Sequence, residues 1–276
     1  MTPGRLALHE AALIGTQIKA GFALGSYDAT GRYLPSPSTA AEQDFEQDLF
    51  GAVRVFARGQ VALLLPLVET RRTSLGLAET GGGVGDINAS ARYDFTLAGA
   101  SRVVPGIALL AGLTLPTGRP PDAPNLGVLA TGATGIGAWQ INAGLAVEQA
   151  YGPWLLNATA WIAQRTARMV TTGAQSIHER LASQWTALAA VGYVLPSQSS
   201  IALSLAYAFE GDATIDGVES PATGHRLPTV SVSGALSLSD AWRLQAAAFD
   251  NVPISSLGLN QPADLGFSVT LVRSWM

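Results

Sequence analysis

The stretch DINASARYDFTL at residues 86–97 alternates polar and apolar side chains without a break. Its even-numbered positions hold Asp, Asn, Ser, Arg, Asp and Thr, whereas its odd-numbered positions hold Ile, Ala, Ala, Tyr, Phe and Leu. A strict period of two predicts a β-strand with one polar and one apolar face. Residues 12–24 and 265–271, near the two ends of the chain, follow the same alternation. We therefore expect the chain to be built from such strands.

The composition favours a membrane environment. Of the 276 residues, 48% are hydrophobic and only 13% are charged, whereas soluble proteins average about 25% charged residues. No segment has the run of about 18 apolar residues that a membrane-spanning helix needs. The candidate at residues 103–116 is interrupted by Pro105, Gly106 and Gly112. Because every backbone polar group must be paired inside a bilayer, a closed β-barrel is the remaining way for such a chain to span it.

The links between the alternating segments predict a specific topology. Five short links alternate with six long ones that are rich in Gly, Pro, Ser and Thr. An even number of strands, short periplasmic turns and long outer loops are typical of bacterial outer-membrane barrels. We therefore expect one all-β domain over residues 1–276, a transmembrane antiparallel β-barrel with residues 1–10 as a periplasmic N-terminal lead. The twelve predicted strands lie near residues 11–25, 47–57, 60–69, 86–97, 102–115, 138–149, 154–166, 181–195, 199–210, 227–238, 241–250 and 264–275.

The predicted lipid-facing positions carry almost no charge. Only Glu69, Asp250 and Arg273 break the rule, each at a strand end, where a charge costs far less than the roughly 2–4 kcal/mol of Lys or Arg at the bilayer midplane. A soluble β-sandwich, the alternative fold, gives no reason to keep charges on one parity in every strand. Two girdles of aromatic residues are also expected at the membrane interfaces: Tyr93, Trp154, Tyr193, Trp242 and Trp275 beside short turns, and Trp139, Trp185, Phe209 and Phe267 beside long loops.

Three short motifs carry a family resemblance. GVGDINASARY at residues 83–93 is followed by PG at 105–106 and by GLTLPTG at 112–118. This succession resembles the outer-membrane β-barrel family of the meta-pathway of phenol degradation, whose pattern is a G-x-G-D strand start with Arg-Tyr, then a strand that ends in Pro-Thr-Gly. The resemblance implies a barrel channel or uptake porin, often for small hydrophobic or aromatic compounds.

Several other functions are disfavoured by what the sequence lacks. The absence of cysteine excludes disulfides and thiolate metal sites, and a net charge of −4 without a basic cluster argues against nucleic acid as a partner. The glycine-rich run at residues 81–86 precedes a strand, so it lacks the helix N-terminus of a phosphate site. His9, His178 and His225 fall in the predicted lead and loops rather than on strands. We therefore expect no enzyme activity, no catalytic residue, no metal and no cofactor.

The predicted barrel also sets the expected location and partners. An outer-membrane protein needs a secretion signal, and the start MTPGR has no charged region followed by an apolar one. We therefore expect a signal to have been removed from a protein of the bacterial outer membrane. The expected partners are outer-membrane lipid and lipopolysaccharide, the barrel-assembly machinery during biogenesis, and envelope proteins.

The polar faces predict which residues line the barrel lumen. Lys19 is the only lysine in the chain, and it falls near the middle of the first predicted strand. Two interpretations remain open: basic residues form a rail that favours anions, or they pair with acidic residues and fill the interior. By parity, the charged candidates for the lumen and for selectivity are Lys19, Asp48, Arg54, Arg92, Asp94, Glu148, Arg165, Glu210 and Arg243.

Two functions are compatible with this architecture. The first is a narrow channel for passive passage of small solutes, because twelve strands enclose more space than the filled eight-stranded barrel and less than a sixteen-stranded porin. The second is a closed structural barrel that anchors an envelope assembly. The apolar loops near residues 126–136 and 252–259 motivate this second hypothesis, since exposed apolar loops often contact partners.

Overall fold

The structure is a computed structural model that describes residues 5–172, 175–197 and 199–276. Those residues contain no helix that is long and apolar enough to cross a membrane. Their β-strands are β1 (Ala12–Tyr27), β2 (Tyr33–Pro35), β3 (Ala40–Phe56), β4 (Gly59–Ser74), β5 (Leu77–Val84), β6 (Ile87–Thr96), β7 (Gly106–Leu115), β8 (Gln140–Tyr151), β9 (Trp154–Arg165), β10 (Arg168–Thr172), β11 (Gln175–Arg180), β12 (Gln184–Val194), β13 (Ser200–Glu210), β14 (Thr214–Ile215), β15 (Val218–Glu219), β16 (His225–Ser237), β17 (Trp242–Asp250) and β18 (Pro262–Trp275).

Twelve of these strands form a closed antiparallel barrel, which confirms the predicted fold class and strand number. Each strand pairs with its neighbour in chain order, and β18 pairs with β1 from Ala12↔Trp275 to Ser26↔Pro262. Closure leaves no unpaired strand edge, as a lipid environment requires. The barrel strands, in order around the wall, are β1, β3, β4, β6, β7, β8, β9, β12, β13, β16, β17 and β18.

The two ends of the barrel differ. At the end we call the turn end, the links between barrel strands are short; at the opposite end, the loop end, they are long and contain the remaining short strands. A separate four-stranded sheet of β10, β11, β14 and β15 lies in the loops of the loop end. The first barrel strand begins and the last barrel strand finishes at the turn end.

Three predicted strand boundaries were wrong by several residues. β3 begins at Ala40 rather than near 47, and β4 continues to Ser74 rather than 69, so that β3, β4 and β5 extend the wall at the loop end. Outside the bilayer a strand needs no apolar face, so this part of β3 lacks the alternation used for prediction. β7 begins at Gly106 rather than 102, because Gln149 binds the carbonyls of Ser101 and Arg102 and holds a longer turn.

The outward face carries the expected apolar and aromatic residues. Trp154 and Trp242 are exposed near the turn end, whereas Trp139 and Trp185 are exposed near the loop end. Arg273, a predicted exception to the uncharged lipid face, lies over two girdle rings, 5.7 Å from the Trp242 centroid and 5.0 Å from the Trp275 centroid. A cation over aromatic faces at an interface is a low-cost place for a charge.

Candidate functional site: the barrel lumen

Side-chain hydrogen bonds show which face of each strand points into the lumen. The Gln17 amide donates to the Thr270 hydroxyl at 2.8 Å across the β1–β18 seam, and the Ser204 and Ser231 hydroxyls are 2.6 Å apart across β13 and β16. These residues all lie on the polar parity predicted from sequence. The described lumen is therefore lined by the alternate residues that the period of two places opposite lipid.

The N-terminal lead folds into the turn end of the lumen. Arg54 of β3 donates to the backbone carbonyls of Ala7 and Glu10, at 2.5 and 2.9 Å. The Glu10 carboxylate forms an ion pair of 2.9 Å with Arg243 of β17 and also accepts the Ala7 N–H at 2.7 Å. Two inward-facing arginines on distant strands thus hold residues 7–10 as a compact turn across the opening.

Leu6 anchors the same lead in an apolar pocket. Its side chain is only 4% exposed and packs with inward-facing residues of three strands, Leu13 of β1, Phe50 of β3 and Val272 of β18. The Leu6 N–H donates to the Gln60 side chain at 2.9 Å. Complete burial of a leucine is worth roughly 1.5–3 kcal/mol, so Leu6 contributes strongly to holding the lead inside the barrel.

A buried charge network lies next to the lead. Arg92 of β6 contacts Asp94 at 2.8 Å and Glu148 of β8 at 3.1 Å, and all three side chains are at most 15% exposed. Arg5 of the lead reaches the second oxygen of Glu148 at 2.6 Å. The network joins the lead to β6 and β8.

A second buried ion pair lies at the loop end of the lumen. Arg165 of β9 and Glu210 of β13 are 2.6 Å apart, and their side chains are 8% and 7% exposed. The guanidinium also donates to the side-chain carbonyls of Gln140 and Gln184, at 2.8 and 3.1 Å. Because these groups satisfy one another, the pair links β8, β9, β12 and β13 rather than presenting a free charge.

Lys19 has a different environment from the predicted arginines. Its ammonium group is 3.5 Å from the Glu46 carboxylate and 5.8 Å from the centroid of the Phe249 ring. The Lys19 side chain remains 45% exposed. Since Lys19 faces inward, that exposure reports open space in the middle of the lumen.

All the charged lumen candidates lie inside the barrel, but they do not form a continuous basic rail. Their partners are mostly acidic side chains or, for Arg54, carbonyl groups of the lead. A role in selectivity stays a prediction for Lys19, Arg54, Arg92, Asp94, Glu148, Arg165, Glu210 and Arg243.

Sequence reasoning missed several charged lumen residues because two strands were predicted too short. Acidic residues at every second position of β3, starting at Glu42, continue the inward parity of Asp48. That period of two was visible in the sequence, but the neighbouring Gln43 and Gln47 concealed the apolar face. Glu10 and Arg5 were missed for another reason, since no strand pattern predicts where a lead folds.

The loop between β7 and β8 folds against the inward face of the wall at the loop end. Asp86 accepts the backbone N–H groups of Gly118 and Ile136 at 2.8 and 2.7 Å, and Glu79 accepts the Val128 N–H at 3.1 Å. Thr131 is 2% exposed. The loop near 126–136, expected to be an exposed partner surface, is therefore largely held within the loop end, although Val128 remains 85% exposed.

Between the lead at the turn end and the β7–β8 loop at the loop end, the lumen wall is apolar and aromatic as well as polar. Trp161 and Phe249 face inward and are half-buried, and Leu110 and Leu188 share this face. Along β12 and β13 the inward residues other than Gly192 and Glu210 are half-buried, in contrast to the fully buried residues that contact the lead. Free space therefore remains beside these strands.

The histidines lie partly on strands, which corrects the sequence-based expectation. His178 belongs to β11 in the sheet at the loop end, and His225 is the first residue of barrel strand β16, in register with Glu210. Among the described residues, no cluster of His, Cys, Asp and Glu has the arrangement of a metal site.

Comparison with known proteins establishes the fold. No protein-family model and no curated protein sequence matches this chain. Among solved structures it is similar to the COG4313 outer membrane channel from Pseudomonas putida F1, with 18% identity, a TM-score of 0.79, and coverage of 98% of this chain and 97% of that chain. It is also similar to the translocator domain of the autotransporter NalP from Neisseria meningitidis, with 10% identity, a TM-score of 0.55, and coverage of 99% and 91%.

A third structure, the transport unit of the autotransporter AIDA-I from Escherichia coli, matches with 7% identity, a TM-score of 0.52, and coverage of 95% of this chain and 90% of that chain. The predicted resemblance is thus confirmed at the level of the fold, a transmembrane outer-membrane β-barrel.

Proposed function

We propose that the protein is a narrow outer-membrane channel for passive passage of small solutes, with small hydrophobic or aromatic compounds as the favoured class. One observation carries the proposal: the closed barrel keeps free space in its middle, beside Lys19 and the half-buried inward residues of β12 and β13. A barrel that only needed to be stable would fill this space with side chains, as eight-stranded barrels do.

The chemistry of the wall supports the solute class. Inward-facing Trp161, Phe249, Leu110 and Leu188 offer apolar and aromatic contacts around the free space. Aromatic rings pair with other rings through offset or edge-to-face contacts. The similar Pseudomonas protein is described as an outer membrane channel, which agrees with transport.

The proposed orientation places the turn end in the periplasm and the loop end outside the cell, as in other bacterial barrels. The lead then closes the periplasmic opening, and the loop between β7 and β8 narrows the outer opening. Passage requires the lead to move, because Arg54 and Arg243 hold it across the turn end.

Liposome swelling tests this function directly. Purified protein is reconstituted, and swelling is measured with uncharged solutes of increasing size and with phenol-like aromatic solutes. Arg54→Ala removes the bonds to the lead carbonyls, so it should increase the swelling rate severalfold; Arg102→Ala, an exposed residue of the β6–β7 turn, is the matched control. Swelling no faster than protein-free liposomes for both wild type and Arg54→Ala would refute the channel proposal.

A structural role is the second candidate, and one observation favours it. The loop between β17 and β18 exposes Ile254 at 53% and Leu257 at 41%, so it offers an apolar surface outside the barrel wall. Crosslinking in intact outer membranes should then recover a specific partner from wild type and lose it from an Ile254→Ser, Leu257→Ser variant. Recovery of the same proteins from both would rule out anchoring through this loop.

A further inference from the structure

The loop-end half of the lumen contains an acidic ladder, which we define as Glu42, Asp44, Glu46 and Asp48 of β3. Successive inward positions of one strand are occupied by carboxylates. Cross-strand contacts fix their direction: Asp44 accepts the Thr70 hydroxyl at 2.6 Å. The ladder therefore runs along the inner wall from the outer rim to mid-height.

Asp264 of β18 adds a fifth carboxylate to the same side of the lumen. It lies across β1 from the ladder, because Gly21 of β1 is in register with Asp44 on one side and Gly266 on the other. A Cβ placed on Gly21 would be 3.9 Å from the Asp264 Oδ2 atom. The missing side chain at Gly21 leaves a gap between the two acidic strands.

Positive charge on these strands does not balance the carboxylates. Over the fully described strands β1, β3, β4 and β18, the inward cations in this half are Lys19 and Arg72, which pair with Glu46 and Glu42. Five carboxylates against two cations leave three carboxyl groups, those of Asp44, Asp48 and Asp264, without a cationic partner on these strands. The turn end differs, since Arg92 and Arg243 pair there with Asp94, Glu148 and Glu10, and Arg54 binds carbonyl groups of the lead.

Asp48 adds a second observation to the row of carboxylates. The residue is only 4% exposed, and its Oδ1 atom has no hydrogen-bond partner. Of its two register neighbours, Pro66 has no donor, and the Gln17 amide donates to Thr270 on the other side of β1. A buried carboxylate oxygen without a donor is costly, and a bound cation would supply the missing partner.

We propose that the acidic ladder and Asp264 form a binding path for monovalent cations, which makes the lumen cation-selective. Rows and rings of Asp and Glu give pores this property, because fixed negative charge at short range attracts cations and repels anions. The ladder therefore favours cations, whereas a row of basic residues would favour anions. The inference rests on the proposed channel function, and it identifies the charge class that the lumen accepts.

Reversal potentials across planar bilayers test the proposal. With a tenfold KCl gradient, wild type should show a permeability ratio of potassium to chloride clearly above one. Asp48→Asn should lower that ratio by about fivefold, the equivalent of roughly 1 kcal/mol for a unit charge near the ion. Asp240→Asn removes the same charge from an exposed turn and should leave the ratio unchanged. Heat-modifiable migration on gels confirms that each variant is folded.

A double variant strengthens the test, since Asp44→Asn with Asp48→Asn should bring the ratio close to one. Swelling with an uncharged solute, measured on the same preparations, separates the two proposals. Anion selectivity of the wild type would overturn the cation path, and so would an unchanged permeability ratio in the folded double variant. If the same preparations still swell with the uncharged solute, the channel proposal stands. Absence of both conductance and swelling overturns both proposals together.

Discussion

Truncation of Leu6 to alanine should release the N-terminal lead and increase conductance. Leu6 is 4% exposed in a pocket of Leu13, Phe50 and Val272, and Leu→Ala at such positions costs at least about 2 kcal/mol. The substitution destabilises the state in which the lead is docked inside the lumen and does not destabilise the barrel itself. Since 1.4 kcal/mol is tenfold, the ratio of released to docked lead should rise about 30-fold. Single-channel recordings should show this as a higher open probability at unchanged open conductance.

The same lead supplies a matched control. Leu8 is 62% exposed, so Leu8→Ala makes an identical chemical change with little loss of burial and should leave the open probability within twofold of wild type, on the order of an exposed-site substitution. Hydrogen exchange of residues 5–10 reports the lead directly. If Leu6→Ala increases exchange in the lead without any change in conductance, then the lead does not control passage and the reasoning from its position fails.

Two further predictions concern stability. Arg165→Ala leaves Glu210, 7% exposed, without its partner, and loss of one member of a buried pair costs about 3–5 kcal/mol. Urea unfolding in lipid should show this decrease in the free energy of unfolding, whereas Arg102→Ala should leave that free energy unchanged. An equal decrease in both variants would contradict the role of the ion pair. Leu205→Arg, on the outward face at the middle of β13, should cost roughly 2–4 kcal/mol; its inward neighbour Ala206→Arg should cost less, and the reverse order would show that the faces were assigned wrongly.

The part of the fold inside the bilayer could be predicted because lipid restricts every second residue. In β13, predicted at 199–210 and found at Ser200–Glu210, each outward position is apolar because a polar group there would face hydrocarbon. The restriction is local and repeats in every strand, so parity, strand number and the sense of each face follow from the sequence. The lumen candidates, from Lys19 to Arg243, followed from the same parity.

The positions of the lead at the turn end and of the β7–β8 loop at the loop end could not be predicted, because they depend on contacts between residues that are distant in the sequence. Arg54 binds backbone carbonyl groups of the lead. Because every residue has a backbone carbonyl, the residue types do not indicate this contact. Asp86 was expected only as an inward residue of a strand, yet it receives backbone N–H groups from Gly118 and Ile136. Beyond the bilayer, the outward face of β3 includes Gln43 and Gln47, so this part was not recognised as a strand and Glu42, Asp44 and Glu46 of the acidic ladder were missed.

The pocket of Leu6 has a consequence for how the molecule is assembled. Its walls come from the first barrel strand, through Leu13, and from the last, through Val272. These walls meet only when β1 pairs with β18 at the seam. This pairing closes the ring. Until then the apolar pocket for Leu6 is incomplete, so full docking of the lead requires a closed barrel. We therefore expect a barrel that has not closed to expose residues 5–10 to proteases, and the finished barrel to protect them.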